Sequence, residues 1–192
     1  MIPNMIDRYI ELLVKRKMIS EEQVEDYKYQ AICIVESTIV IGAMILVGII
    51  FKQFVNVCIF IICFFNIRNK AGGFHLNAFW QCFLGTISLE CLVVVLVRYV
   101  SDKIYILDCV ALVSFAIIFI IGALNHPNIN YSKEEYIVIK KQSRVVILVI
   151  CFIIVFLKVL HASVETIMYM EYAVIISAIL LILKYFARRS QN

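Results

Sequence analysis

Long apolar runs separated by short polar segments set the pattern of this chain. A helix that crosses a bilayer needs roughly 20 predominantly apolar residues. Four clear runs approach that length, Ala78–Val97, Ile104–Leu124, Val145–Leu160 and Ile167–Phe186. A fifth and sixth, Ala31–Phe51 and Phe54–Ile67, form a less certain pair, because only Lys52 and Gln53 separate them. At about 1.5 Å per residue, Phe54–Ile67 crosses only part of a hydrocarbon core about 30 Å thick. The pair therefore reads as a tight or re-entrant hairpin. The expected fold class is all-α, a polytopic membrane helix bundle of about six spans.

The first thirty residues follow a different rhythm. Ile2, Met5, Ile6, Tyr9, Ile10 and Leu13 recur at helical spacing, while Asp7, Arg8, Glu11 and Lys15 face elsewhere. Such a pattern predicts an amphipathic helix, packed on its own membrane domain or lying in the interface, where Lys15–Lys17 would favour an anionic leaflet. Ser20 followed by Gln23 resembles a capping box that starts a second helix running into the first span. The expected organisation is an interfacial segment 1–30, a transmembrane catalytic domain 31–187 and a short cytoplasmic tail 188–192.

Composition places the chain in lipid. It is 63% hydrophobic with a mean hydropathy of +0.94, against about 45–50% apolar residues in a typical soluble domain. No signal peptide with a small-residue cleavage site is recognisable at the start. The seven cysteines show no paired CxxC spacing, and six lie well inside apolar runs, where cysteine acts as a small hydrophobe. Neither a metal site nor a cofactor is expected.

Charge placement gives the orientation. With six crossings and a cytoplasmic N-terminus, fourteen of the eighteen Lys and Arg fall inside, and only Lys52, Arg98, Lys103 and Lys158 fall outside. That bias puts both termini and the segment Arg68–Asn77 in the cytoplasm. The basic, aromatic-containing stretch Tyr131–Arg144 is accounted for by the same bias and is interrupted by Glu134 and Glu135, so no nucleic-acid partner is expected.

The segment Arg68-Asn69-Lys70-Ala71-Gly72-Gly73-Phe74-His75-Leu76-Asn77-Ala78-Phe79-Trp80-Gln81-Cys82 carries the candidate chemistry. Gly72-Gly73 opens backbone angles closed to other residues and lets a peptide approach the main chain. A Cys/His pair is the minimum equipment for nucleophilic acyl transfer, with thiolate as nucleophile and imidazole as base and then acid. A helix start near Cys82 concentrates positive partial charge, which favours thiolate, and Arg68 and Lys70 add to it. Gln81 and the Cys82 amide are candidate oxyanion donors. Seven residues of continuous helix would separate His75 from Cys82 by about 10 Å, whereas proton transfer needs about 2.6–3.2 Å. The chain is therefore expected not to be regularly helical throughout His75–Cys82, unless a homodimer supplies the partner residue.

With Arg68, Gly72-Gly73, His75 and Cys82 at these spacings, in a chain of this length and layout, the sequence resembles the accessory gene regulator B family of bacterial membrane peptidases. Leu76-Asn77 departs from the small or basic residue and threonine that many members carry after the histidine, which bears on the substrate. The resemblance implies an enzyme that processes the precursor of a quorum-sensing peptide. Cys82 would cleave before the acidic C-terminal tail and hold the remainder as an acyl-thioester, with His75 as general base and acid. An internal cysteine or serine of the peptide would then release a cyclic thiolactone or lactone. Arg68, and with it Gly72, Gly73 and Gln81, would bind substrate or shape the electrostatics. The competing class is a small transporter or channel-like protein without covalent catalysis, drawn from the acids Glu36, Glu90 and Glu171 inside expected spans. His126 reads as a turn residue, and His161 falls on the outer side.

Overall fold

The computed structural model describes residues 2–16, 18–20, 23–71, 79–100, 104–124 and 133–189. Among them are seven helices and no strand: α1 (Ile2–Lys15), α2 (Val24–Ile50), α3 (Phe54–Ala71), α4 (Phe79–Val100), α5 (Ile104–Ile121), α6 (Lys133–Val159) and α7 (Val164–Arg189). Six of these, α2 to α7, are long and apolar enough to cross a membrane. The expected all-α membrane bundle is what the chain forms. The chain divides into two compact units, Met1–Ala43 and Met44–Asn192.

In the first unit, α1 packs on the start of α2. Ile6, Ile10 and Ile19 form a buried cluster, and Leu13, Val14, Val24, Ala31, Ile32 and Val35 close around it. Tyr9, expected on the apolar face, is instead 59% exposed. The buried stripe is narrower than the sequence pattern: Ile6 and Ile10 are covered and Tyr9 is not. Lys28 and Asp7 form an ion pair at 2.6 Å across the two helices. Half of the expected capping box is present: the Ser20 amide donates to Gln23 Oε1 at 3.2 Å, while the Gln23 amide donates to the Ser20 carbonyl, at 3.0 Å, rather than to its hydroxyl. From there α2 continues into the first span without a break.

The second unit is organised around α7. Ile167–Val174 is buried on every side, which marks a helix enclosed by its neighbours. Helices α3, α4, α5 and α6 all pack on it. Ala173, Ser177 and Ala178, all buried, are the small residues that let helices approach closely in a bilayer. The outward surfaces are apolar, as at Leu112 and Phe152, 62% and 71% exposed.

Two spans differ from the sequence expectation. Phe54–Ala71 is one unbroken helix of 18 residues, so Arg68, Asn69 and Lys70 belong to its last turn rather than to a loop. Its polar end hid the last turn from an apolar-run criterion. For the same reason α6 begins at Lys133, twelve residues before the expected Val145, with Glu134 and Glu135 in its first turn where the helix dipole favours acids.

The joint between the second and third helices is a tight turn, with no re-entrant loop. The Gln53 amide donates to the Gly48 carbonyl at 2.8 Å and the Lys52 amide to Ile49 at 3.1 Å, with Lys52 at φ 57°. That is a Schellman ending on a residue other than glycine. α6 ends the same way, with the Ala162 amide on Leu157, the His161 amide on Lys158 and His161 at φ 52°. His161 is thus a helix-ending residue. Gly48 allows the hairpin to close: a Cβ there would sit 2.9 Å from Val57 Cβ.

Candidate functional site

Contacts between helix ends sort the second unit into two poles. At one pole, Gln53 Nε2 donates to Glu165, Thr166 Oγ1 to Asn56, Arg98 to the Phe51 carbonyl, and Lys158 meets Asp108 and Glu171. At the other, the Leu124 amide donates to the Ala71 carbonyl, Lys70 to Gln142 and Arg144 to the Phe119 carbonyl. The second pole collects the end of α3, the start of α4, the end of α5 and the start of α6. It holds Arg68 and Cys82 of the sequence-predicted site.

Cys82 is the fourth residue of α4, within the first turn, and is half-buried. Arg68 Nη2 donates to Cys82 Sγ at 3.3 Å. The guanidinium is also positioned by Phe64, one turn earlier on α3, whose ring centroid is 5.7 Å from Arg68 Cζ. Phe64 is fully buried and stacks on Phe60 at 5.6 Å. An arginine whose stem and face are held by a packed aromatic presents its charge in a defined direction. Below the cysteine, buried Thr86 donates to the Cys82 carbonyl at 2.9 Å. Phe79, Trp80 and Phe83 cluster around the start of the helix, with ring centroids 5.6–5.9 Å apart. Trp80 is 67% exposed, as aromatic residues at a membrane–water boundary are.

Of the other sequence-predicted residues, Gln81 is exposed on α4, one residue and so about 100° round the helix from Cys82. Gly72, Gly73 and His75 lie outside the described residues, as does His126. α4 is helical from Phe79, which covers the second half of the His75–Cys82 interval. Glu36 is half-buried in α2 and Glu90 is fully buried in α4, two turns after Cys82, with neither carboxylate oxygen hydrogen-bonded. Glu171 has a partner that sequence reasoning missed, Lys158, which it meets at 2.5 Å. Nothing in the spacing of Asp108, Lys158 and Glu171 announces that three different helices bring them to one place.

The direct Arg68–Cys82 contact is likewise beyond spacing alone. It depends on α3 continuing one turn past its apolar stretch, so that Arg68 projects from a helix across to α4. Chemically the arrangement holds a cation against the one cysteine at a helix start. A guanidinium there stabilises negative charge on sulfur and on whatever carboxylate or carbonyl oxygen approaches it.

The accessory gene regulator B family model matches residues 6–186. No curated protein and no solved structure matches the chain.

Proposed function

Since the chain belongs to the accessory gene regulator B family, whose members process quorum-sensing peptides in the membrane, we propose that it is a cysteine endopeptidase that trims and cyclises an autoinducing-peptide precursor. The observation that carries this reading is the 3.3 Å contact from Arg68 Nη2 to Cys82 Sγ at the start of α4. In the proposed reaction His75 takes the thiol proton, and the Cys82 thiolate attacks the carbonyl preceding the C-terminal tail. The C–N bond breaks, the leaving amine takes its proton from His75, and the peptide remains as a thioester on Cys82. A thiol or hydroxyl within the peptide then gives its proton to His75 and attacks that carbonyl. The C–S bond breaks, a thiolactone or lactone leaves, and the Cys82 sulfur recovers its proton from His75. One activated acyl bond gives another, so no ATP is needed for the thiolactone.

Arg68 would face the negative charge that develops on sulfur once the thiol proton has left, and is close enough to meet a substrate carboxylate. Gly72-Gly73 would give the peptide backbone room, and Gln81 or the Cys82 amide would serve the oxyanion. The pole holding Arg68, Lys70, Lys140, Lys141 and Arg144 faces the cytoplasm in this reading, by the positive-inside rule, as do both termini. α1, with Tyr9 and Leu12 exposed, would lie along the inner leaflet.

The test uses purified protein in liposomes with a tailed precursor peptide. Wild type releases the tail and forms a hydroxylamine-sensitive peptide adduct on Cys82, whereas Cys82→Ala does neither and His75→Ala forms no adduct. Tail release by Cys82→Ala at the wild-type rate would exclude the mechanism. A transporter reading without covalent chemistry draws on the charged cluster of Asp108, Lys158 and Glu171, and it predicts no tail release and no adduct with wild type or variant.

A further inference from the structure

At the pole opposite Cys82, a cavity of about 170 Å³ lies between α5, α6 and α7. Its walls are apolar, including Ala111, Leu112, Phe115 and Ile154, while Asp108, Lys158 and Glu171 supply the polar lining. Lys158 Nζ lies 2.5 Å from Asp108 Oδ1 and 2.5 Å from Glu171 Oε1. One ammonium therefore serves two carboxylates. The Glu171 side chain is only 2% exposed, and its second oxygen, Oε2, has no hydrogen-bond partner. A buried carboxylate oxygen left unpaired is costly, and the cost disappears when a donor reaches it. A chain that needed only to neutralise Lys158 would require one carboxylate, not two beside an open space.

We propose that the cavity between α5, α6 and α7 is a binding site for a primary ammonium group carried on a small apolar body. The ammonium would sit against Asp108 and Glu171, completing a set of two cations and two carboxylates, and the apolar body would occupy the space lined by Ala111, Phe115 and Ile154. A hydrocarbon-lined cavity of about 150 Å³ accepts a benzene-sized molecule, so the volume here matches a single aromatic ring or a short alkyl chain. The uncharged part gains from leaving water, and the charged part gains from two carboxylates, of which the almost wholly buried Glu171 is poorly screened. This site is independent of the cysteine chemistry, since it shares no residue with the Arg68–Cys82 pole. Two sources offer the same chemistry, a free amine and the amino terminus of a peptide beginning with an apolar residue.

The experiment measures binding of fluorinated benzylammonium to the full-length protein in nanodiscs by fluorine NMR, with fluorinated benzyl alcohol as the neutral counterpart. The site predicts saturable binding of the ammonium, at least tenfold tighter than the alcohol. Glu171→Gln should remove that preference, and Ala111→Phe, which fills the cavity and leaves all three charges, should abolish binding of both probes. The second variant decides the matter if the first does not fold. Displacement by a short peptide starting with phenylalanine, and not by its N-acetylated form, assigns the site to peptide amino termini; failure of both peptides to displace the probe assigns it to free amines. Equal binding of ammonium and alcohol, binding that never saturates, or a preference that survives in the folded variants overturns the proposal.

Discussion

The Arg68 guanidinium ends 3.3 Å from the Cys82 sulfur, so the last turn of α3 delivers its charge to the first turn of α4. Hydrogen bonds involving a charged group are worth about 1.5–3 kcal/mol, which corresponds to roughly 10–100-fold in rate. Arg68→Ala should slow acyl-thioester formation on Cys82 by about that factor, and Arg68→Lys should recover part of it. The rate of Cys82 alkylation by iodoacetamide at neutral pH, followed by mass spectrometry, should fall in parallel. A role confined to packing against Phe64 would lower thermal stability and leave the alkylation rate of the folded protein unchanged.

Much of the bundle was legible because lipid imposes a simple code. Spans had to be apolar for about 20 residues, and every run of that kind became a helix. What the code missed lies where helices leave the hydrocarbon. Arg68 and Lys133 sit in regular helix, yet their polarity read as loop, since a transmembrane criterion detects the solvent rather than the backbone. The site was legible only as a set of residue types. Cys82 could be placed at a helix start from sequence, but its contact with Arg68 is tertiary, and so is the meeting of Lys158 with Asp108 and Glu171 from separate helices. Helical periodicity likewise gives α1 an apolar face without saying which of its positions the protein covers: Ile6 and Ile10 are buried and Tyr9 is exposed.

Helix-ending residues should respond to substitution with opposite signs. Gly122 follows α5 at φ 70°, and a Cβ there would meet Lys140 Cγ at 2.6 Å. A left-handed conformation costs an L-residue about 1–2 kcal/mol, so Gly122→Ala should destabilise by at least that amount. Lys140→Ala in the same background should recover the steric part and leave the backbone part. His161 already occupies such a conformation at the end of α6. His161→Gly should therefore raise the unfolding temperature in detergent, by an increment that corresponds to about 1 kcal/mol or less.

The α1–α2 unit offers a sharp contrast between adjacent positions. Ile10 is 4% exposed and Tyr9 is 59% exposed. Burial of an isoleucine is worth about 1.5–3 kcal/mol, so Ile10→Asp should reduce amide-exchange protection of α1 by roughly 10–100-fold, while Tyr9→Asp leaves it nearly unchanged. The hydrogen bond from Lys28 to Asp7 holds the lysine's pKa above its ordinary 10.5. A raised lysine pKa means that the pair's contribution is fully present below that ordinary value and is lost as pH rises through the raised one. Exchange protection should accordingly show no dependence on this pair between neutral pH and about pH 9, with the loss beginning only above it.

The ion cluster at the other pole should be more sensitive to imbalance than to removal. Lys158 sits between Asp108 and Glu171, with Glu171 almost wholly buried and the other two side chains about a third exposed. Removing one partner of a buried ion pair costs about 3–5 kcal/mol, because it strands a charge away from water. Lys158→Met strands two like charges, yet water still reaches Asp108, so the expected loss is about 3 kcal/mol, the low end of that range. Replacing all three together, Asp108→Asn, Lys158→Met and Glu171→Gln, removes the desolvation cost along with the attraction. The triple variant should unfold close to the wild-type temperature in detergent, well above Lys158→Met alone. If the triple variant is as unstable as the single one, the cluster contributes through packing rather than charge, and an added ammonium ligand would gain nothing from its two carboxylates.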